Sequence, residues 1–227
     1  MKKQTIIIII VLIITTLTTN VIKSQSSTSF HDSKRTTQSN NCFQDEISNQ
    51  FDIHVFFKRN VDTITSNQEC TIKVKFYDKI SGNQMDSVII ESDFIYSFMF
   101  LSCNSMTSYS TGYNSTRNPI DNFFGDIVVS DFNFDGKDDI AIIKNGGGNS
   151  GPDYAYFIQK ANLTFDEEKF LTDKMGIFPS NIDKTNKTLT TLGHAGACFI
   201  GERIFQLDEE SNNWKIKSYK IIDVCEK

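Results

Sequence analysis

From Phe51 onward the chain alternates its side chains with a period of two. Phe51, Ile53, Val55 and Phe57 interleave with Asp52, His54, Phe56 and Lys58, and Cys70, Ile72, Val74 and Phe76 interleave with Thr71, Lys73, Lys75 and Tyr77. Only an extended backbone sends every second side chain to one face, so this pattern specifies half-buried antiparallel strands. Ser81-Gly82-Asn83 reads as the turn into a strand at 87–91. Residues 94–101 are apolar enough to be buried on both faces, and residues 104–122, rich in Ser, Thr, Asn and Tyr, read as an exposed loop. Further strands are expected at 154–159, 187–192, 198–207 and 214–224, with a short helix or turn at 166–173 and a hairpin turn at 209–213. The expected fold is all-β, with antiparallel sheets of about eight to ten strands in a single domain, arranged as a sandwich or a small propeller-like set. The length excludes a seven-bladed propeller, and no clear internal repeat is present.

The chain has 227 residues and opens with Met1-Lys2-Lys3 before an apolar run over 6–14. A basic start, a short apolar stretch and a polar sequel describe a secretory signal, whereas a membrane span needs about 20 apolar residues. Residues 1–24 are therefore expected to be a signal peptide cleaved near Ser24 or Gln25, an uncleaved anchor being the competing reading. Residues 25–41 read as a disordered, polar leader, and residues 42–227 as the folded domain. The location expected is secreted or periplasmic, with no membrane contact after cleavage. A net charge of -5 argues against a nucleic-acid partner and is compatible with a basic protein partner. Five cysteines without a C-x-x-C pair, in an exported chain, favour disulfides over zinc, and Cys198 with Cys225 is the preferred pair. The odd count leaves one thiol, or links two chains as a homodimer. His31, His54 and His194 show no ligand spacing.

Asp131, Asn133, Asp135, Gly136 and Asp139 carry the first chemical signature. Oxygen-bearing side chains at alternate positions of a tight loop suit one hard cation, and calcium is the natural candidate. An EF-hand is excluded, because its twelfth position, where a glutamate belongs, is Ile142, and the flanks are β-branched. The reading is strand, calcium loop, strand. Asp131, Asn133 and Asp135 supply side-chain oxygens, Lys137 its carbonyl, and Asp139 a returning carboxylate, while Gly136 permits the turn. An acidic surface turn that binds nothing is the bland alternative, although its carboxylates would then repel one another. Three glycines follow at 146–148, but no Lys-Ser/Thr pair accompanies them, so a phosphate-binding loop is rejected.

Ser150-Gly151-x-x-Tyr154 comes next. It matches the SGxxY signature of periplasmic lysozyme inhibitors, and the loop upstream resembles those of FG-GAP and VCBS repeats. Together they resemble the inhibitors of invertebrate-type lysozyme and related calcium-binding immunity proteins. The resemblance implies a non-enzymatic inhibitor of a lysozyme-like glycoside hydrolase whose Ser150-Gly151-x-x-Tyr154 loop enters the catalytic cleft. Ser150 and Tyr154 would bond to the catalytic carboxylates there, Gly151 would allow close approach, and the nearby cation would stiffen the loop. The alternative is a calcium-dependent adhesion or glycan-binding module of the FG-GAP/VCBS type, with Tyr109, Tyr113, Tyr154 and Tyr156 stacking on sugars. An enzyme is the weakest reading, since no Ser-His-Asp or Cys-His arrangement stands out.

Overall fold

A computed structural model describes residues 35–62, 68–103, 106–109 and 122–225. The signal segment and residues 25–34 of the leader lie outside them. The described residues form three sheets and confirm the all-β class. The first is an up-and-down meander of β1 (Arg35–Gln44), β2 (Phe51–Asp62), β3 (Gln68–Asp78) and β4 (Gln84–Ser92). The second runs in the order β5 (Thr107–Tyr109), β6 (Ile127–Ser130), β7 (Asp139–Gly148), β8 (Gly151–Gln159) and β9 (Phe165–Glu167). The third is another meander, of β10 (Asn181–Asp183), β11 (Thr188–His194), β12 (Phe199–Asp208) and β13 (Asn213–Asp223). Neighbouring strands are antiparallel except for β5 and β6, which are parallel.

Burial follows the sequence pattern. On β3 the residues Cys70, Ile72, Val74 and Phe76 are buried while their neighbours are not, as a one-sided strand requires. In contrast β6 is buried at every position and β8 at all but one, because the second sheet has the rest of the protein on both faces. Phe51 and Phe76 of the first sheet pack on Phe165 of β9, with Phe76 stacked on it at 3.8 Å. The third sheet joins through Phe170 with Phe205 and Phe134 with Trp214. Its outer strand β13 lies largely in solvent.

Three expectations are corrected. Residues 35–41, assigned to a disordered leader, belong to β1, which pairs with β2 from Arg35↔Asp62 to Gln44↔Ile53. Backbone pairing along a sheet edge tolerates polar side chains, so composition alone hid the strand. Residues 94–101 are not a doubly buried strand. Ile95, Met99 and Phe100 point inward, while Tyr96, Phe98 and Leu101 are exposed. The Arg59 guanidinium donates twice to the Ser97 carbonyl at 3.2 Å, and the Phe100 amide donates to Asp126 at 2.8 Å, which holds this segment in turns. Within 104–122, Thr107–Tyr109 is a strand and not loop.

Cys198 is bonded to Cys225 as expected, and Cys42 to Cys103 closes a second disulfide. Cys70 is a buried free thiol, pushed up to about 12 by burial. Two disulfides fit an oxidising compartment. Among the described residues no helix is long and apolar enough to cross a membrane.

Candidate functional site

The two sequence signatures fold into the two turns that bracket β7. The acidic turn, residues 131–138, joins β6 to β7, and the glycine-rich tip joins β7 to β8. Ten residues of strand separate them, which at about 3.3 Å each is a distance on the order of 30 Å. The expectation that a cation at Asp131–Asp139 would directly brace the Ser150 loop is therefore corrected. Closeness in sequence became distance in space because the intervening residues are extended.

The acidic turn is closed by its own side chains. Asp131 accepts from the amides of Asp135 and Gly136, each at 3.1 Å, and Asn133 accepts from Asp135 at 3.1 Å. Phe134 and Gly136 have positive φ, of 60° and 85°. Asp139 is fully buried, and its carboxylate takes three amides: Phe132 at 2.8 Å, Asn133 at 3.3 Å and Gln159 at 2.8 Å. Burial pushes its carboxyl up to about 7 against the pull of those amides. Both Asp139 oxygens are thus engaged in tying β7 to the acidic turn and to β8. Asp138 accepts from the Ser48 hydroxyl at 2.6 Å, tying the turn to the β1–β2 connection, and Lys79 donates to the carbonyls of Asp45 and Ser48 beneath it.

Among the described residues no three His, Cys, Asp or Glu side chains gather closely enough to hold a metal ion. The donor set expected from the sequence is mixed: the side-chain oxygens of Asp131, Asn133 and Asp135, with the Lys137 carbonyl. Ammonium groups already stand at two of them. Lys137 pairs with Asp135 at 3.1 Å, and Lys184 pairs with Asp131 at 3.5 Å. Burial raises the Asp135 carboxyl, but hydrogen bonds from Lys137 and Asn133 and the Lys137 charge together outweigh it, and the net shift is downward.

The tip is built differently. Gly147 (φ 68°) and Gly151 (φ 98°) cross so closely that a Cβ on Gly147 would lie 1.9 Å from the Gly151 carbonyl oxygen. A Cβ on Gly146 would meet the Phe94 ring at 2.8 Å. By contrast Gly148 faces open space. These contacts explain Gly146 and Gly147 without any phosphate. Asn122 donates to the carbonyls of Ser150 at 2.7 Å and Leu192 at 2.8 Å, so the tip is fastened to β11 of the third sheet.

Ser150 and Tyr154 part company. The Ser150 hydroxyl lies near the surface and donates to the His194 carbonyl at 3.1 Å. Tyr154 has no exposed surface, donates to the Gly125 carbonyl at 2.9 Å and accepts from the Phe124 amide at 3.3 Å. A tyrosine so enclosed cannot reach a foreign carboxylate, so its assignment as a contacting residue is corrected: it anchors the base of the tip. Tyr156 is buried as well. Neither ring can stack on a sugar. Tyr113 lies outside the described residues.

Beside Ser150 the tip and the third sheet enclose a recess of about 190 Å³ whose lining includes Asp153, Thr191, His194, Arg203 and Tyr219. Gly193 and Gly201, paired across β11 and β12, also line it, and a Cβ on Gly193 would meet the Ser150 hydroxyl at 3.1 Å. The Arg203 guanidinium lies 5.3 Å from the centre of the Tyr219 ring. It makes no ion pair among the described residues. Burial raises the Asp153 carboxyl, with Lys144 opposing. Sequence reasoning missed Arg203 because it is a single basic residue in an alternating strand, with no motif around it; only the register of β11, β12 and β13 brings it to Ser150.

No family model matches the chain, and no curated protein matches it. Among solved structures, one described as a Xanthomonas type IV secretion system related protein is similar over 84% of this chain and 90% of that chain, with 16% identity and a TM-score of 0.51. At that identity the likeness concerns the fold alone.

Proposed function

We propose that the chain is a secreted or periplasmic inhibitor of a lysozyme-like glycoside hydrolase, acting through the tip at 147–151 and the adjoining recess. One observation carries this reading. Ser150, on a tip fastened by glycine crossings and Asn122, and Arg203 of β12, which has no ion pair among the described residues, line the same recess. A glycosidase cleft carries two carboxyl groups, one ionised and one protonated. A guanidinium offers forked donors to the carboxylate. The hydroxyl has one proton, given to His194, and two lone pairs that can accept from the protonated acid. Occupying both would silence the acid and exclude the sugar. A preformed tip also loses little freedom on binding.

Calcium belongs to this proposal as a structural ion. Asp131, Asn133, Asp135 and the Lys137 carbonyl would hold it, and it would draw the acidic turn together at the far end of β7.

The adhesion or glycan-binding reading keeps one supporting observation. Tyr96 and Phe98 are exposed and parallel, with ring centres 5.7 Å apart and planes 4° apart, in a row with Phe94 and Phe123. A cell-wall clearing assay separates the two. Under the inhibitor reading the protein slows at least one enzyme of a panel spanning invertebrate-type and other lysozymes. Unchanged clearing by the whole panel, with retention on a peptidoglycan column, would favour glycan binding.

A further inference from the structure

The first sheet buries one face in the core and turns the other to solvent, and on that outer face the chain's net charge of -5 is locally reversed. Register places Lys58 of β2 diagonal to Lys73 of β3, with Lys75 two residues further along β3. Successive ammonium groups therefore start from backbone positions about 7–8 Å apart. Among the described residues none of the three makes an ion pair. Glu91 accepts from the Thr71 hydroxyl at 2.7 Å and Asp52 pairs with Lys79 at 3.3 Å, so neither neutralises them. Like charges on neighbouring strand positions repel, and the cluster costs stability while it stands alone. An aromatic ring lies in its midst. The Lys75 ammonium is 5.4 Å from the centre of the Phe56 ring, which also contacts His54, centre to centre, at 4.3 Å. Phe56, Lys58 and Lys73 line an open recess of about 330 Å³ together with Ser39, Asn41 and Thr71.

We infer that this face binds an acidic polysaccharide, one whose sugars carry carboxylates. β2 and β3 are each paired on both sides, so their backbone groups are consumed in the ladder and recognition falls to side chains. The side chains match such a sugar group by group. Its carboxylates meet Lys58, Lys73 and Lys75, its hydroxyls exchange hydrogen bonds with Ser39, Asn41 and Thr71, and its C–H face covers the Phe56 ring. A bilayer would need rings that protrude into it, whereas Phe56 is half-buried within a recess. A nucleic acid could use the same ring and cations, but its dense phosphate charge would meet the acidic remainder of the chain. The consequence is retention in an acidic glycan layer. No residue of this face belongs to the tip or its recess, so the inference stands apart from the inhibitor reading.

The test is calorimetric titration of the full chain, in EDTA, with an oligogalacturonate and with its methyl ester, which keeps the rings and hydroxyls and removes the charge. The wild type should bind the acid form about tenfold more tightly than the ester. Lys58→Gln with Lys73→Gln should lose about tenfold in affinity with an unchanged melting curve, and Lys58→Arg with Lys73→Arg should bind like the wild type. Lys174→Gln with Lys217→Gln makes the same change of net charge at exposed positions elsewhere, and it should bind like the wild type. Raising salt from about 0.1 M to 1 M shortens the screening length from about 10 Å to 3 Å and should weaken the wild-type complex. No binding of the acid form, equal binding of the ester, or an equal loss in the Lys174 and Lys217 pair would overturn the inference. Tighter binding of phosphatidylserine vesicles or duplex DNA than of the oligogalacturonate would overturn the choice of a polysaccharide.

Discussion

β7 begins at an acidic turn and ends at a glycine-rich tip, and its two ends are secured by opposite means. At the first, carboxylates fold back on backbone amides and gather lysines, so the turn is held by charge. At the second, bare backbone crosses bare backbone, and the tip is held by the space that missing Cβ atoms leave. A charge-held turn responds to ions and pH. One held sterically does not, which suits a surface that must keep a single shape when it meets a partner. The comparison also shows why a cation need not stiffen the tip: Asn122, Tyr154 and the Gly147–Gly151 crossing already do so.

The sharpest way to break the comparison is Gly147→Ala. Left-handed strain and the clash with Gly151 should cost about 2–5 kcal/mol in urea unfolding, whereas Gly148→Ala should stay within about 0.5 kcal/mol. Equal effects would mean that the tip is not sterically locked. Tyr154→Phe should come next, at about 1–3 kcal/mol, because the Gly125 carbonyl loses its buried donor. Calcium at tenfold its dissociation constant should add about 1.4 kcal/mol and raise the melting temperature by about 3–6 °C, and Asp135→Ala should remove that gain. Calcium should not rescue Gly147→Ala, since its defect lies at the other end of β7.

Cys70, away from both ends, reports on global opening. Its thiol is raised from the ordinary 9.0 to about 12, so the folded state keeps the proton longer than the unfolded chain does. Its contribution to stability is therefore complete below about pH 9 and is lost as pH rises toward about 12. At neutral pH the native protein should show no thiol reactivity over the minutes in which an unfolded control reacts fully. Fast labelling of the native protein would contradict the burial of this strand.

The strands were legible wherever one face is buried. The alternation of Phe51 to Phe57 and Cys70 to Phe76 placed β2 and β3, and the strands flanking Cys198 and Trp214 were found along with the Cys198–Cys225 bond. β1 escaped because an edge strand of Ser, Thr, Gln and Asn has no apolar face to announce it. The site was half legible. Local motifs located both turns of β7, but Tyr154 looked like a contact residue because sequence spacing carries no information on depth. Arg203 was invisible for the opposite reason: it matters through Ser150, which lies in a turn far from it in sequence and shares its recess.

The most direct test is the inhibition constant against a susceptible invertebrate-type lysozyme for the wild type, Ser150→Ala, Arg203→Ala and Tyr154→Phe, each measured beside its melting curve. Ser150→Ala and Arg203→Ala should weaken inhibition at least tenfold with unchanged melting, and Tyr154→Phe should lower melting while the fraction that remains folded still inhibits. Full inhibition by both Ser150→Ala and Arg203→Ala would contradict the assignment of the tip and its recess as the surface that meets the enzyme.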